Sequence, residues 1–221
     1  MEISMALKGQ MSRSILHVGI LALDISLFFH LAIPGASGDV NARSSSFRGE
    51  SQPTITSEAD ATLKGITLGQ EVDLPVVQQP EENTNYVSSN DGEVTQFAAA
   101  ARYGNIGLLA HNYLSGSSFL QLDIGHEVSL VYEDGRIEEF VVTEILRYQA
   151  LDPKNPYSSF INMDNENETL TVKQMFDRAY LGEHHLTLQT CIAAEGISSW
   201  GRLFVIAMPR SEYLSMDPND L

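Results

Sequence analysis

Short apolar runs broken by turn residues constrain this chain more than any other feature. Ile66-Thr67-Leu68-Gly69 and Val72-Asp73-Leu74-Pro75-Val76-Val77 are cut by glycine and proline, and residues 105–110 form a compact apolar run that stops at His111. Val128, Leu130 and Tyr132 alternate with Ser129 and Val131, then Asp134-Gly135 leads into a second run over 137–145. Alternation on a period of two around an Asp-Gly pair reads as a β-hairpin. Residues 186–190 and 203–208 add two further strand-like runs. Helical signals gather in one place, where Thr171 and Gln174 match a capping box and Val172, Met175, Phe176 and Ala179 fall at helical spacing. Residues 78–93 read as a polar loop, and so do 151–170, which hold Asp152-Pro153, Asn155-Pro156 and the acidic run 164–168. Many short strands with one or two short helices predict a mostly β domain, an antiparallel barrel or sandwich.

The ends of the chain are of a different kind. Lys8 and Arg13 precede the apolar segment 15–33, which Pro34-Gly35-Ala36-Ser37-Gly38 closes, so residues 1–38 read as a signal peptide or a membrane anchor. Length permits spanning, but Asp24 near the middle costs about 2.5 to 3.5 kcal/mol on insertion, while Ala36 and Gly38 suit cleavage before Asp39. Either outcome predicts an extracytoplasmic protein. Residues 39–64 are rich in Ser, Thr, Asn and Arg without a sustained apolar period, and read as a flexible linker. The folded domain is expected over 65–210, followed by a tail over 211–221. With one cysteine among 221 residues no intramolecular disulfide is possible, so the domain must rely on its core. Thirteen Lys and Arg against 29 Asp and Glu, a net charge of −16, exclude the basic surplus that nucleic-acid binding needs.

Chemistry can begin at Cys191, which ends the run Leu186-Thr187-Leu188-Gln189-Thr190. A thiol attacks a carbonyl as thiolate, so it needs a base or a cation close by in space. His111 ends the run 105–110 in the same manner as Cys191 ends its own, and strand ends at one rim of a barrel can bring side chains together. Arg202 supplies a permanently charged fork of donors able to hold an oxyanion or neutralise a thiolate. Each residue alone also has a structural reading: a small buried hydrophobe, a hydrogen-bonded histidine, a snorkelling strand-end arginine. The remaining histidines are weaker candidates. His17 and His30 lie in the export segment, His126 abuts the hairpin, and His184-His185 lack the helical spacing of a zinc pair. The run 164–168 lacks the glycine and the final acidic ligand of an EF-hand, and reads as a solvated loop. Asn167-Glu168-Thr169 fits a glycosylation sequon, and Trp200 and Tyr180 read as packing residues. No metal and no cofactor are expected.

Over residues 65–209 these motifs together resemble the sortases, the cysteine transpeptidases of bacterial cell surfaces. Thr187-Leu188-Gln189-Thr190-Cys191 matches their Thr-Leu-x-Thr-Cys signature, and Gly107-Leu108-Leu109-Ala110-His111-Asn112 is similar to the strand bearing their catalytic histidine. Arg202 stands at the start of the last strand, where their arginine is expected, and residues 122–128 resemble the segment that follows the histidine, with His126 where Asp is common. The resemblance implies a closed eight-stranded β-barrel with the site at one edge, and Cys191, His111 and Arg202 as nucleophile, acid-base and oxyanion holder. Thr190 would shape the substrate groove. It also implies the partners: an exported protein carrying a C-terminal sorting motif, and an amine acceptor from the cell wall or another surface protein, with the membrane engaged through an uncleaved N-terminal segment. Two rival readings stay open, a thiol hydrolase of the same fold that uses water, and a catalytically silent β-barrel binding module.

Overall fold

β1 (Leu63–Leu68) folds back on β2 (Val72–Gln78) as an antiparallel hairpin, with Ile66 opposite Leu74 and Gly69 at φ 60° in the turn. The structure, a computed structural model, describes residues 61–69, 72–155 and 157–216. The export segment, the linker up to residue 60 and the tail beyond residue 216 lie outside the described residues. Among the described residues no helix is long and apolar enough to cross a membrane.

From this hairpin the sheet extends both ways and closes on itself. On one side β1 pairs with β5 (Glu127–Tyr132), β5 with β6 (Ile137–Ala150), and β6 with β10 (Ile197–Pro209), all antiparallel. On the other side β2 pairs with β3 (Val94–Gln96), β3 with β4 (Ile106–Leu109), and β4 with β9 (Leu186–Ala194). The ring closes where β9 meets β10, Cys191 opposite Arg202. Eight strands thus form the closed, mostly β barrel that the family resemblance implies. It is not wholly antiparallel: β2–β3 and β4–β9 run parallel, because the chain between each pair crosses over instead of turning back.

The residues expected as a loop over 151–170 hold a further hairpin. β7 (Phe160–Asn162) pairs with the end of β6, and β8 (Asn165–Leu170) pairs with β7, Phe160 lying opposite Leu170. The acidic run is therefore a strand. Its polar composition conceals it, since β8 is exposed along most of its length and carries no alternating apolar signature. α3 (Val172–Tyr180) starts at the expected capping box: the Thr171 hydroxyl accepts from the Gln174 N–H, and Gln174 Oε1 accepts from the Thr171 N–H at 2.9 Å. Single-turn helices α1 (Ala98–Ala101), α2 (Gly116–Phe119) and α4 (Arg210–Tyr213) complete the described chain.

Strand alternation sorts the apolar side chains into two cores. Leu108, Leu130, Val142, Leu188 and Val205 fill the barrel interior. Leu109, Leu146, Phe204 and Cys191 point out of the barrel, where Phe97, Met175 and Tyr180 cover them. α3 lies on this outer face. The Tyr180 hydroxyl donates to Gln189 Oε1 at 2.6 Å and the Thr187 hydroxyl donates to the Ala179 carbonyl at 2.6 Å. Gly107 makes the close approach possible, because a Cβ there would sit 3.0 Å from Phe97, Ala100 and Tyr180 at once.

At the far end of β9 His184 joins the barrel to its neighbours, Nδ1 bonding the Gly104 carbonyl at 2.7 Å and Nε2 bonding Glu138 at 3.0 Å. Burial pushes its imidazole down, but the Gly104 carbonyl and the Glu138 carboxylate outweigh this and leave it raised. A raised folded value means that the stabilisation is fully present below the ordinary value of about 6.5 and is lost as pH rises through the folded one. His184→Gln is therefore expected to lower the urea midpoint more at about pH 5.5 than at about pH 8.5. Equal losses at both pH values would contradict the assignment.

Candidate active site

The candidate residues lie on two neighbouring strands and just past the end of a third. In β9 and β10, Cys191 is directly opposite Arg202. Residues facing each other in this way have Cβ atoms about 4.5–5.5 Å apart on the same side of the sheet. On the other flank of β9, the parallel pairing matches Ile106 with Leu186 and Leu109 with Gln189. The Ala110 N–H continues the ladder onto the Gln189 carbonyl at 3.2 Å, and the buried Thr190 hydroxyl donates to the Ala110 carbonyl at 2.8 Å. The offset between partners is 80 residues, and carrying it two residues past β4 sets His111 level with Cys191. Leu109 belongs to the outer core and Ala110 to the barrel interior, so the same alternation brings His111 to the outer side, with Cys191 and Arg202.

The site sits at the edge of the outer core. Cys191 is buried beside Leu109, Tyr148 and Phe204, and His111 is 6% exposed. Apolar surroundings disfavour a thiolate, so a charge or a base alongside is what such a thiol needs to react. Arg202 is completely buried. Taking a guanidinium out of water costs several kcal/mol unless its donors are used. Its Nη1 donates to the Ser199 carbonyl at 3.1 Å and to the Gly201 carbonyl at 2.9 Å, which also fixes the fork in place.

Chain segments from different parts of the sequence frame this row. Asn112 Nδ2 donates to the Ser198 carbonyl at 3.0 Å, and the Ser199 hydroxyl donates to the Pro153 carbonyl at 3.2 Å. The start of β10 is thereby held between the turn after His111 and the loop after β6. That loop carries Leu151 and Tyr157 exposed at its surface. The His111 carbonyl accepts from both Leu114 and Gly116, each at 3.0 Å. Gly116 has no room for a side chain: a Cβ would lie 2.7 Å from the His111 oxygen and 2.8 Å from the Ala110 oxygen, and would collide with the Thr190 hydroxyl.

Of the residues singled out in the sequence, Cys191 and Arg202 face each other across β9 and β10, and His111 follows the end of β4, on the other flank of β9. Thr190 is fully buried, with its hydroxyl turned to the Ala110 carbonyl, where it ties β9 to the residue before His111. His126 closes its own turn, Nδ1 accepting from the Asp123 N–H at 3.1 Å, and His185 bonds the Glu183 and Ala179 carbonyls at 2.7 and 3.0 Å. Tyr113 was not singled out, yet its ring stacks on His111 with centroids 5.1 Å apart. Its place directly after His111-Asn112 was the available signal.

Solved sortases are similar to this chain. Sortase C1 from Streptococcus suis matches over 66% of this chain and 72% of its own, at 14% identity and a TM-score of 0.45. Sortase C from Clostridium perfringens SM101 matches over 66% and 68%, at 13% identity and a TM-score of 0.39. The sortase D5 transpeptidase from Clostridium perfringens matches over 66% and 78%, at 16% identity and a TM-score of 0.39. No family model matches the chain, and no curated protein matches its sequence.

The packing around Gly116 gives a direct test of how the site is held. Gly116→Ala is expected to destabilise the fold by about 1–3 kcal/mol through overpacking. It should also broaden or shift the His111 and Thr190 amide resonances, because the collision falls on those two residues. Resonances unchanged from wild type would refute the role given to this glycine.

Proposed function

We propose that this chain is a sortase-type cysteine transpeptidase that acts outside the cytoplasm on exported proteins. What supports the reading is the cross-strand pair of Cys191 and Arg202, with the register of β4 on β9 pointing to His111 at the same level. Each single residue has a structural explanation; a base, a thiol and a fixed cation meeting at one rim fit acyl transfer better than they fit packing. The Thr-Leu-x-Thr-Cys motif points the same way.

In this reaction Cys191 Sγ attacks the carbonyl of the scissile peptide bond in a C-terminal sorting motif. Arg202 holds the developing oxyanion, and its anchorage to the Ser199 and Gly201 carbonyls means that it need not reorganise when charge appears. The C–N bond breaks as His111 protonates the departing amine, leaving a thioester on Cys191. An amine from the cell wall or from another surface protein then attacks that thioester. His111 takes the proton from the amine, the C–S bond breaks, and the product carries a new amide bond. Splitting one acyl transfer into two easier steps is the general advantage of covalent catalysis. Thr190 contributes to the groove through the backbone that it holds, and the loop after β6 is the wall best placed to select the substrate.

The reading is tested by mass spectrometry of products from a sorting-motif peptide with and without an added amine. Ligated product is expected only with the amine present. Cys191→Ala should reduce turnover by at least about a thousandfold, and Arg202→Lys by about a hundredfold to a thousandfold. Ligation that persists in a folded Cys191→Ala variant would overturn the assignment, and hydrolysed product alone would favour the thiol hydrolase.

A further inference from the structure

Tyr113 stacks on the proposed base, and the reaction described above gives it no task. Its ring lies nearly parallel to the His111 imidazole, with centroids 5.1 Å apart and planes inclined by 23°. That geometry is within the range of favourable offset stacking between flat rings. The aromatic residues of the two cores, such as Phe97, Tyr180 and Phe204, are buried, whereas Tyr113 is 50% exposed and its partner His111 only 6%. Tyr113 therefore adds little to the core. What it covers is one face of the imidazole.

The turn that carries Tyr113 is fixed from both ends. Asn112 ties it to the Ser198 carbonyl on β10, and the Leu114 and Gly116 N–H groups close on the His111 carbonyl. The tyrosine backbone is thus held in a set position relative to His111. A histidine that gives a proton in one step and takes one in the next must keep its ring at one angle through both. Where a turn begins, two soft side-chain torsions work against this, and a stacked plane anchored beside the ring opposes them.

We propose that Tyr113 is a positioning residue, whose stacked ring holds the His111 imidazole in the orientation that serves Cys191. The proposal rests on the reading of His111 and Cys191 as base and nucleophile, and it concerns the flat ring of Tyr113, not its hydroxyl.

Alkylation of Cys191 by iodoacetamide in the intact native protein tests this without a substrate, Cys191 being the single cysteine. Rates are compared for wild type, His111→Ala, Tyr113→Ala, Tyr113→Leu and Tyr113→Phe, with amide spectra confirming the fold of each. His111→Ala is expected to react slowly. Tyr113→Ala and Tyr113→Leu, the second keeping apolar cover without a flat ring, should fall about tenfold or more towards it. Tyr113→Phe should stay close to wild type. If His111→Ala is slow while Tyr113→Ala and Tyr113→Leu react like wild type or faster, the positioning role is wrong and the base assignment survives. A loss in Tyr113→Phe as large as that in Tyr113→Ala would overturn the stacking argument in favour of the hydroxyl. Should His111→Ala itself react at the wild-type rate, the base assignment fails and this proposal fails with it.

Discussion

The parallel pairing of β4 with β9 is the constraint on which the rest of the site depends. Both strands run towards the same rim, so His111, two residues beyond the end of β4, and Cys191, within β9, both lie towards it. An antiparallel pairing would put the end of one strand beside the beginning of the other. Bringing residues 80 positions apart into register costs about 4 kcal/mol in loop-closure entropy. Burial answers that cost. Leu108, Leu186 and Leu188 are completely buried in the barrel interior along these two strands, and a leucine so placed contributes about 1.5–3 kcal/mol. The same interior that stabilises the barrel therefore fixes the register of β9, which carries the thiol, against β4, which leads to the imidazole.

The outer face then decides what that pair can do. α3 and the residues around α1 seal the lower rows, where Gly107 is small enough for Tyr180 to lie against the sheet and Gln189 receives its hydroxyl. Cys191 belongs to this outer core and faces Arg202 on β10, and the edge beside them is held by Asn112, Ser198, Ser199 and Pro153. A buried guanidinium is a costly component for a barrel edge that an apolar residue could close. A guanidinium opposite the single cysteine fits a site where negative charge develops. Thr190 and Gly116 are positioned one step behind, holding the backbone on which the row is mounted.

The barrel was legible because most of its strands follow simple rules. The hairpin of β5 and β6 announces itself through alternation around Asp134-Gly135, with Gly135 at φ 85°, and the capping box marks α3 to the residue. β8 was hidden, since Asn165, Glu166 and Asn167 are exposed and its pairing is carried by backbone groups that leave no trace in side-chain pattern. β3 is three residues long and too short for any period to register. The parallel direction of β4 and β9 could not be read locally either, because it is a property of the path between them. Among the site residues, Cys191, His111 and Arg202 stood out through chemistry and motif. Tyr113 and Gly116 act through contacts that only the folded turn creates.

Whether the register of β4 on β9 extends to His111 and Cys191 can be measured through a disulfide. Neighbouring strands lie about 4.8 Å apart, within the Cα separation that a disulfide spans. Under mild oxidation the His111→Cys variant should therefore form an intramolecular bond to Cys191, seen as a monomer that has lost two hydrogens and has no thiol left to alkylate after denaturation. Two alkylatable thiols persisting in the oxidised, folded variant would contradict the register, and with it the site built on the parallel pairing of β4 and β9.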